Sequence, residues 1–451
     1  MEKEPKMNSQ AIENVLKQVR DNNIEFIRLW FTDIFGTLKS VAITPEALDR
    51  AMDEGMAFDG SSVTGYQDIQ EGDMFAVPDP STFCVLPWLA ENGKKSDTAR
   101  MFCDIKNPDG TPYEGDPRYV LKRNCEQLSA RGLTFNVGPE LEFFYFKHSR
   151  STDIIDHGGY FDLTPMDAGS NLRKDTITTL KAMGIPVEFS HHEVAPSQHE
   201  IDLRYSDALT VADRAITYRL VVKEIAAKNG VYATFMPKPI YGQPGSGMHT
   251  HQSLFSNGTN VFYDDDDEFY LSDLARKYIA GLLRHSREIC SVLAQWVNSY
   301  KRLVPGYEAP VYIAWSHRNR SALVRVPAIR PGKKSAARVE LRCPDPACNP
   351  YLAFSIMLAA GLAGIDNGYE LPPPMEKNLY ELTESERRAL GIQSLPASLG
   401  EALAETEKSE LVRKALGDHV FERFIELKSM EWHEFCTRVT EWEVNKYLPI
   451  L

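Results

Sequence analysis

The chain lacks the sequence features of exported, membrane-spanning and nucleic-acid-binding proteins. Its 451 residues contain no stretch that approaches the roughly 20 uninterrupted apolar residues of a membrane span. Residues 1–6 have no apolar core of the kind that a secretory signal carries. The formal net charge of −13 argues against nucleic-acid or anionic-membrane partners, because these bind clustered Lys and Arg. We therefore expect a cytoplasmic protein whose partners are small molecules.

Disulfide, zinc and phosphate-loop patterns are missing as well. Seven cysteines without an export signal favour reduced thiols over a disulfide framework. Cys343 and Cys348 have no second cysteine pair to complete a zinc site, so we interpret them as structural. No Walker A loop is present, since near Gly332 the first glycine of the pattern is Pro327 and Lys334 replaces the required Ser or Thr. A nucleotide would therefore have to be held through metal ions and arginines.

The length favours two domains, which we place at residues 1–110 and 111–451 on either side of a turn-forming Asn-Pro-Asp-Gly cluster. Apolar spacing predicts a helix over residues 8–20, and β-branched and aromatic residues predict a hairpin from residues 24–31 and 38–43.

Helical patterns follow at residues 271–297 and 398–447, the second opening with a capping-box pattern at Ser398 and Glu401. Short strands with polar residues lie between them. We therefore predict an α+β catalytic domain.

Two stretches carry acidic residues at strand spacing. In residues 136–146 the period of two places Glu140 and Glu142 on one face. In residues 191–205 a Pro-Ser turn lets Glu193 and Glu200 face each other across adjacent segments. After that turn, alternation assigns Glu200, Asp202 and Arg204 to one side and Ile201, Leu203 and Tyr205 to the other. A solvated strand face is the plain alternative for both stretches.

Two further stretches carry histidines and arginines. Glycines in residues 237–253 allow close approach of a ligand, and alternation sends His249, His251 and Ser253 the same way. The same alternation aligns Arg338, Glu340 and Arg342, downstream of a Gly/Pro-rich loop at residues 301–310 and an arginine-rich segment at 317–325. A glycine-rich turn and a surface salt-bridge face are the alternatives. Together, glutamates with one histidine suit magnesium or manganese better than zinc, and metals with arginines indicate phosphoryl transfer.

Five segments, in this order, resemble glutamine synthetase of the bacterial and archaeal type I family: residues 58–62, 138–144, 245–253, 301–310 and 319–325. The resemblance spans about residues 26–364 and implies an N-terminal β-grasp domain followed by a catalytic domain with a curved antiparallel sheet. It implies ATP-dependent ligation of ammonia to the γ-carboxylate of L-glutamate through γ-glutamyl phosphate. It also implies a homododecamer of two hexameric rings with shared active sites.

Residue by residue, the resemblance implies a complete site with two or more Mg²⁺ or Mn²⁺ ions. One metal would be held by Glu142, Glu193 and Glu200, and the other by Glu140, His249 and Glu340. The glutamate substrate would contact Gly245, Arg302 and Arg342, beside Glu142, His249 and Glu308. ATP would lie against Glu188, Tyr205, His251 and Ser253, with Arg320, Arg325 and Arg338 balancing phosphate charge. Asp59 from the adjacent subunit would deprotonate ammonium, Glu308 would exclude water, and Arg320 would complete the catalytic set.

Three positions depart from the family pattern. Pro244 replaces a common Asn, which removes one contact to the amino-acid substrate. Asp68 stands where members inhibited by glutamine carry Arg, so we expect weak glutamine inhibition. Tyr380 resembles an adenylylated tyrosine, but the insertion that accompanies adenylylation is absent after Phe146, so we expect no such modification.

Two other functions are compatible with these residues. A relative could ligate glutamate to a polyamine or another amine, although Asp59 favours ammonium because a small cation needs a negative acceptor. A non-catalytic structural or regulatory relative would have lost the metals, yet all the proposed metal ligands are present. A nitrogen-regulatory protein partner is compatible with either enzymatic reading.

Overall fold

A computed structural model describes residues 9–67, 72–90, 93, 95–317 and 319–451. Asp68, on which the expectation about glutamine inhibition rests, lies outside the described residues, as does Arg318 of the arginine-rich segment. No helix within these ranges is long and apolar enough to cross a membrane.

The N-terminal region is organised around a sheet of six strands within the described part of the chain. Its helices and strands are α1 (Ser9–Asp21), β1 (Phe26–Thr32), β2 (Leu38–Ile43), α2 (Leu48–Glu54), β3 (Met56–Asp59), β4 (Asp73–Pro78), β5 (Cys84–Val85) and β6 (Thr98–Lys106). The strand order is β2-β1-β6-β4-β3, with β5 on β6 and with β1 parallel to β6. The predicted first helix and the β1–β2 hairpin are confirmed.

Both faces of this sheet are covered by apolar packing. Leu29 and Met101 lie in the N-terminal core, whereas Trp30 and Phe102, one position later on the same strands, lie in the larger core formed with the rest of the chain. Alternation along each strand explains this division, because successive side chains point to opposite faces. The sheet is therefore a buried layer that joins the two regions.

The second region contains the remaining helices and strands. Within the described residues they are α3 (Pro117–Ser129), β7 (Thr134–Phe146), α4 (Ser170–Ala182), β8 (Val187–His192), β9 (Gln198–Leu203), β10 (Ser206–Asp207), α5 (Ala208–Lys228), β11 (Tyr232–Thr234), β12 (Met248–Ser256), β13 (Thr259–Asn260), α6 (Asp273–Leu293), α7 (Ser299–Arg302), β14 (Tyr312–Ser316), β15 (Ala322–Arg325), β16 (Val339–Leu341), α8 (Pro350–Asp366), α9 (Glu384–Ala389), α10 (Leu399–Thr406), α11 (Glu410–Leu416), α12 (Asp418–Thr437) and α13 (Glu441–Tyr447).

A second, curved sheet carries the polar strands in the order β14-β15-β16-β12-β7-β9-β8, with further short strands on β7 and β12. Helices α3, α5 and α6 pack against this sheet, and α8 packs against all three of these helices. The backbones of helices α6 and α8 are in direct contact at Gly281. A Cβ added to this residue would lie 2.1 Å from the carbonyl oxygen of Ala360. The α+β fold class predicted from the sequence is confirmed.

One detail of the predicted C-terminal helices was wrong. The side chain of Ser398 accepts the N–H of Glu401, as a capping box requires. The carboxylate of Glu401, however, accepts the N–H of Ala397 at 2.9 Å instead of that of Ser398. The preceding residue competes for the same acceptor, a local choice that the residue types do not reveal.

Candidate active site

Strand register brings the acidic and histidine side chains of three neighbouring strands together. On the central strand β7, Glu140 pairs with His249 of β12 on one side and with Asp202 of β9 on the other. Two residues further along, Glu142 pairs with Glu200. Because side chains two positions apart share a face, all five point to the same side of the sheet. The faces predicted by alternation are thus assembled into one site by the strand pairing.

One cluster consists of Glu140, His249 and Glu340, whose potential ligand atoms all lie within 4.8 Å of one another. Nδ1 of His249 lies 3.3 Å from Glu140 and 3.9 Å from Glu340. These three residues are the set expected for one metal ion.

A second cluster consists of His191, Glu193 and Glu200. The turn between β8 and β9 places the two glutamates together, with Ser197 in the left-handed region at φ 61°. Glu142, expected in the same metal site, is instead held by Nε2 of Gln198 at 2.8 Å and by the N–H of Gly247 at 3.0 Å. The structure therefore brings together two of the three expected ligands and places a histidine beside them.

The turn itself is supported from behind by a buried polar network. Asp156 accepts the N–H of Ser197 at 2.9 Å and lies 3.0 Å from Nε2 of His192. Asp167, His192 and His199 complete this group of potential ligands. A guanidinium already lies among them, because Arg173 donates to Asp167 and contacts His199 at 2.7 Å. We interpret the group as scaffolding, since it already contains a cation.

The acidic residues of the site destabilise one another when they are ionised. Burial and the charge of Glu193 raise the pKa of Glu142 to about 8, although Arg302 opposes the shift. Burial and the charge of Asp202 raise the pKa of Glu200, and burial raises that of Glu193. Burial also raises the pKa of Asp202 to about 7. So many carboxylates in a low-dielectric site favour a bound cation.

Around the histidines of the site the pKa values are lowered and not raised. Burial opposes ionisation of Glu140, but the nearby His251 and His249 hold its pKa far below the usual range. Burial and the charge of Arg342 lower the pKa of His249 to about 4, so its imidazole is neutral and can act as a metal ligand.

The donor set fits a hard divalent cation. Oε2 of Glu340 is buried and, among the described residues, has no hydrogen-bond partner, although Nε of Arg325 approaches it to 2.7 Å without the required alignment. Oδ1 of Asp202 is likewise buried without a partner. Carboxylate oxygens with one or two imidazoles are ligands of the type that Mg²⁺ and Mn²⁺ accept.

These groups open into a cavity of about 790 Å³. It is lined by all six expected metal ligands and by Gly245, Arg302, Glu308, Arg320, Arg325 and Arg342. Arg302 is buried and donates to the carbonyl oxygens of Arg342, Cys343 and Pro344. Gly247 lies close against this guanidinium, since an added Cβ would lie 2.5 Å from Nη2 of Arg302.

An adjoining cavity of about 420 Å³ is lined by six of the seven residues expected to bind ATP, whereas Arg320 lines only the larger cavity. The six are Glu188, Tyr205, His251, Ser253, Arg325 and Arg338. Glu140, Asp202 and Arg325 line both cavities, so the two spaces share walls. Nε of Arg338 donates to Nδ1 of His251 at 3.2 Å.

Alternation wrongly assigned Tyr205 to the packing side. Strand β9 ends at Leu203, so the period of two no longer applies, and Tyr205 is exposed beside the smaller cavity. Asp59 lies outside the lining of both cavities: it is exposed at the end of β3, where its carboxylate accepts from the backbone and the hydroxyl of Ser61. Those hydrogen bonds lower the pKa of Asp59.

Several site residues had no assigned role in the sequence interpretation. Asp202 lies between Glu140 and Glu200 as a potential ligand, and Gln198 fixes Glu142. Alternation had already placed Asp202 on the face of Glu200, and Gln198 has the same spacing, so strand spacing could have indicated Gln198 as well. His191 lies two residues before Glu193 and so has the same spacing, but only the β8–β9 pairing reveals that it lies opposite Glu200.

Two family models together match nearly the whole chain. Residues 23–108 match the model described as glutamine synthetase, beta-Grasp domain. Residues 114–447 match the glutamine synthetase catalytic domain. The chain belongs to the glutamine synthetase family. Its predicted membership of this family is thereby confirmed.

Relatives of nearly equal length support the same conclusion. The glutamine synthetase of Mycolicibacterium smegmatis is 52% identical over 442 residues, covering 97% of this chain and 99% of the relative. That of Methanosarcina mazei is 51% identical over 443 residues, covering 97% and 98%.

Solved structures agree on the fold. GmaS in complex with ADP matches with a TM-score of 0.88 at 30% identity, covering 96% of this chain and 99% of that one. Glutamine synthetase of Plasmodium falciparum matches with a TM-score of 0.87 at 26% identity, covering 99% and 100%.

These relatives establish the reaction. The chain is an ATP-dependent glutamate–ammonia ligase, a glutamine synthetase that uses divalent metal ions, as predicted. The alternatives of an amine ligase and of a non-catalytic relative are not favoured.

Proposed function

We propose that this glutamine synthetase works through a γ-glutamyl phosphate formed in the larger cavity. A carboxylate oxygen is a poor leaving group, so the γ-phosphoryl group of ATP is transferred to the γ-carboxylate of glutamate, releasing ADP. Ammonia then attacks the acyl carbon, and phosphate leaves with the C–O bonding electrons. The observation that supports this proposal is that Glu140, Asp202 and Arg325 line both cavities, so that a nucleotide bound in the smaller cavity would lie next to the carboxylate-rich site.

The metal-binding role falls to two neighbouring groups. Glu140, His249 and Glu340 would hold one ion, and Glu193 and Glu200 would hold a second, with Glu142 as the expected third ligand and His191 at hand. Bound Mg²⁺ or Mn²⁺ supplies neutralisation of phosphate charge during phosphoryl transfer. Removal of the ions by a chelator is expected to abolish activity.

Two of the arginines would bind glutamate and three would bind phosphate groups. Arg302 and Arg342, both buried at the floor of the larger cavity, place positive charge where glutamate carboxylates would bind, next to the backbone of Gly245. Arg320 lines the larger cavity, Arg338 the smaller one and Arg325 both, and the three would balance the charge of the transferring phosphoryl group.

Ammonium has to lose a proton before it can attack, and Asp59 is the proposed base. Since Asp59 lies outside the lining of both cavities of its own chain, it would act in the site of a neighbouring subunit. This role requires an oligomer, and we propose the dodecamer of two hexameric rings. Glu308, exposed on the loop at the cavity mouth, would close over the acyl phosphate and exclude water.

Some expectations stay predictions. These are the division of domains at residue 110, the preference between magnesium and manganese, the absence of adenylylation on Tyr380, the effect of Pro244 on glutamate affinity, the cytoplasmic location and the regulatory protein partner.

Phosphate release from ATP in the presence of glutamate tests the proposal most directly. Ammonium is compared with methylamine and a panel of polyamines under otherwise identical conditions. We expect ammonium to give the highest kcat/KM and a stoichiometric yield of glutamine. A higher kcat/KM with any of the amines would contradict the proposed use of ammonium.

A further inference from the structure

The loop that carries Glu308 is held in an unfavourable backbone conformation. Glu308 has φ 59°, in the left-handed region that residues other than glycine seldom adopt. Such a conformation is strained and persists only where neighbouring contacts enforce it. The residues on either side of Glu308 each make such a contact.

The residue after Glu308 is tied to a distant segment of the chain. The hydroxyl of Tyr380 donates a 2.6 Å hydrogen bond to the carbonyl oxygen of Ala309. The ring of Tyr380 is half-buried, with its centroid 6.1 Å from that of Tyr312. Burial raises the pKa of Tyr380 to about 12, with the Arg342 charge opposing the shift and Glu308 adding to it. The hydroxyl therefore keeps its proton and remains a donor at neutral pH.

The residue before Glu308 is tied on the opposite side. Nζ of Lys238 lies 3.9 Å from the centroid of the Tyr307 ring, a cation–π contact. Lys238 is itself fixed, because its N–H donates to Oδ1 of Asn298 at 2.7 Å and its carbonyl accepts from Nδ2 of Asn298 at 3.1 Å. This second tether connects the loop to the glycine-rich segment beside the cavity.

We propose that Tyr380 and Lys238 are positioning residues that bracket Glu308 and hold its carboxylate over the larger cavity. The inference rests on the proposed role of Glu308 in excluding water. With either tether removed, the strained loop opens more often and water reaches the acyl phosphate, whose P–O or C–O bond it breaks to give glutamate and phosphate. Neither residue takes part in a chemical step.

The measured quantity is phosphate release by the full-length enzyme with ATP and glutamate, once without and once with saturating ammonium. Tyr380→Phe removes the hydroxyl and keeps the ring. We expect the ammonium-free rate to rise about fivefold, the factor that corresponds to the ~1 kcal/mol of one hydrogen bond. The rate of glutamine synthesis should change by less than about twofold.

Two further variants complete the comparison. Lys238→Gln removes the cation and leaves Tyr380 in place, so we expect a rise of about threefold, and it serves as an independent reading if Tyr380→Phe folds poorly. Tyr369→Phe is the matched control, because that hydroxyl lies 3.5 Å from His285, outside the lining of the larger cavity. It should leave the ammonium-free rate unchanged.

Glu308→Ala separates this inference from the proposal on which it rests. If Glu308→Ala leaves the ammonium-free rate at the wild-type level, water exclusion by Glu308 is wrong. If Glu308→Ala raises that rate but Tyr380→Phe and Lys238→Gln do not, the tethers are wrong and Glu308 keeps its role. Adding Tyr380→Phe to Glu308→Ala should give no further rise in the ammonium-free rate. An additive rise in the double variant would overturn the inference. So would equal losses of the ammonium-free rate and of glutamine synthesis in Tyr380→Phe alone, because they would assign Tyr380 a general structural role.

Discussion

The two sheets of this enzyme bury different kinds of side chain. The N-terminal sheet has apolar packing on both faces, with Leu29 on one side and Trp30 on the other. The catalytic sheet has an apolar face against its helices and a charged face, on which Glu200 and Glu340 are almost fully buried. Buried charge generally destabilises a fold unless it is paired. The second sheet, with several buried carboxylates, is therefore destabilised more by buried charge than the first, in which Arg100 of β6 is buried.

This difference indicates a division of labour between the sheets. The N-terminal sheet contributes stability and carries Asp59 at the exposed end of β3. The catalytic sheet is less stable for its buried carboxylates, but it holds a preorganised set of potential metal ligands, in which Arg342 and Arg325 flank Glu340. Changes on the charged face should therefore affect activity far more than folding, and changes in the apolar core should do the reverse.

The largest effect is expected on the charged face. Glu340→Ala should lower kcat by at least ~10³-fold, because it removes a proposed metal ligand next to two arginines. The protein should remain folded by circular dichroism. Glu340→Gln, which keeps the volume and loses the charge, is the matched variant and should show a similar loss. Near-normal activity in either variant would remove Glu340 from the site.

The reverse pattern is expected in the N-terminal core. Leu29 is fully buried in β1, so Leu29→Ala should lower the free energy of unfolding by about 2–5 kcal/mol through lost burial and a cavity. Urea denaturation measures this change. Activity per folded subunit should stay within about twofold of the wild type. A loss of kcat comparable with that of Glu340→Ala would contradict the division between the sheets.

Substitution of Asp59 tests whether the N-terminal sheet contributes a catalytic residue to the site of a neighbouring subunit. Asp59→Asn should lower glutamine synthesis by about 100-fold, as expected for loss of a general base. Mixing dissociated Asp59→Asn and Glu340→Ala subunits and reassembling them should restore about a quarter of the sites, since each site then draws on two subunits at random. Activity that stays at the level of the separate variants would place Asp59 in the site of its own chain or outside the chemistry.

The smallest effect concerns a buried charge outside the site. Lys428 pairs with Glu431 at 2.7 Å and lies over the ring of Trp296, and burial lowers its pKa from 10.5 to about 8. The unfolded chain therefore binds more protons between pH 8 and 10.5, so the contribution of Lys428 to stability increases as pH rises through this window.

Comparison with Lys428→Met isolates this contribution. The free energy of unfolding of the wild type relative to the variant should increase by about 2 kcal/mol from pH 7.5 to 9.5. Urea titrations at the two pH values measure it. If the difference in free energy of unfolding between the wild type and Lys428→Met did not change with pH, burial would not lower the pKa of Lys428 and the prediction would be wrong.

The sequence interpretation succeeded where a property repeats along one strand. Alternation correctly placed Glu140 with Glu142, and His249 with His251. It was wrong for Tyr205, because the end of β9 depends on pairing with β7 and β8 and not on the residue types alone. It left Gln198 without a role, since the need to hold Glu142 becomes visible only when the two strands are adjacent.

By itself, the order of residues determined which side chains share a face, since a period of two is inherent in the extended backbone. Its long motifs also determined the family and the reaction. Tertiary structure alone decided the register that places Glu140 beside Glu340 and Glu200, and the position of Asp59 away from its own cavity. These outcomes depend on hydrogen bonding between strands far apart in the chain, and only the cooperative packing of the whole core selects one register over the others.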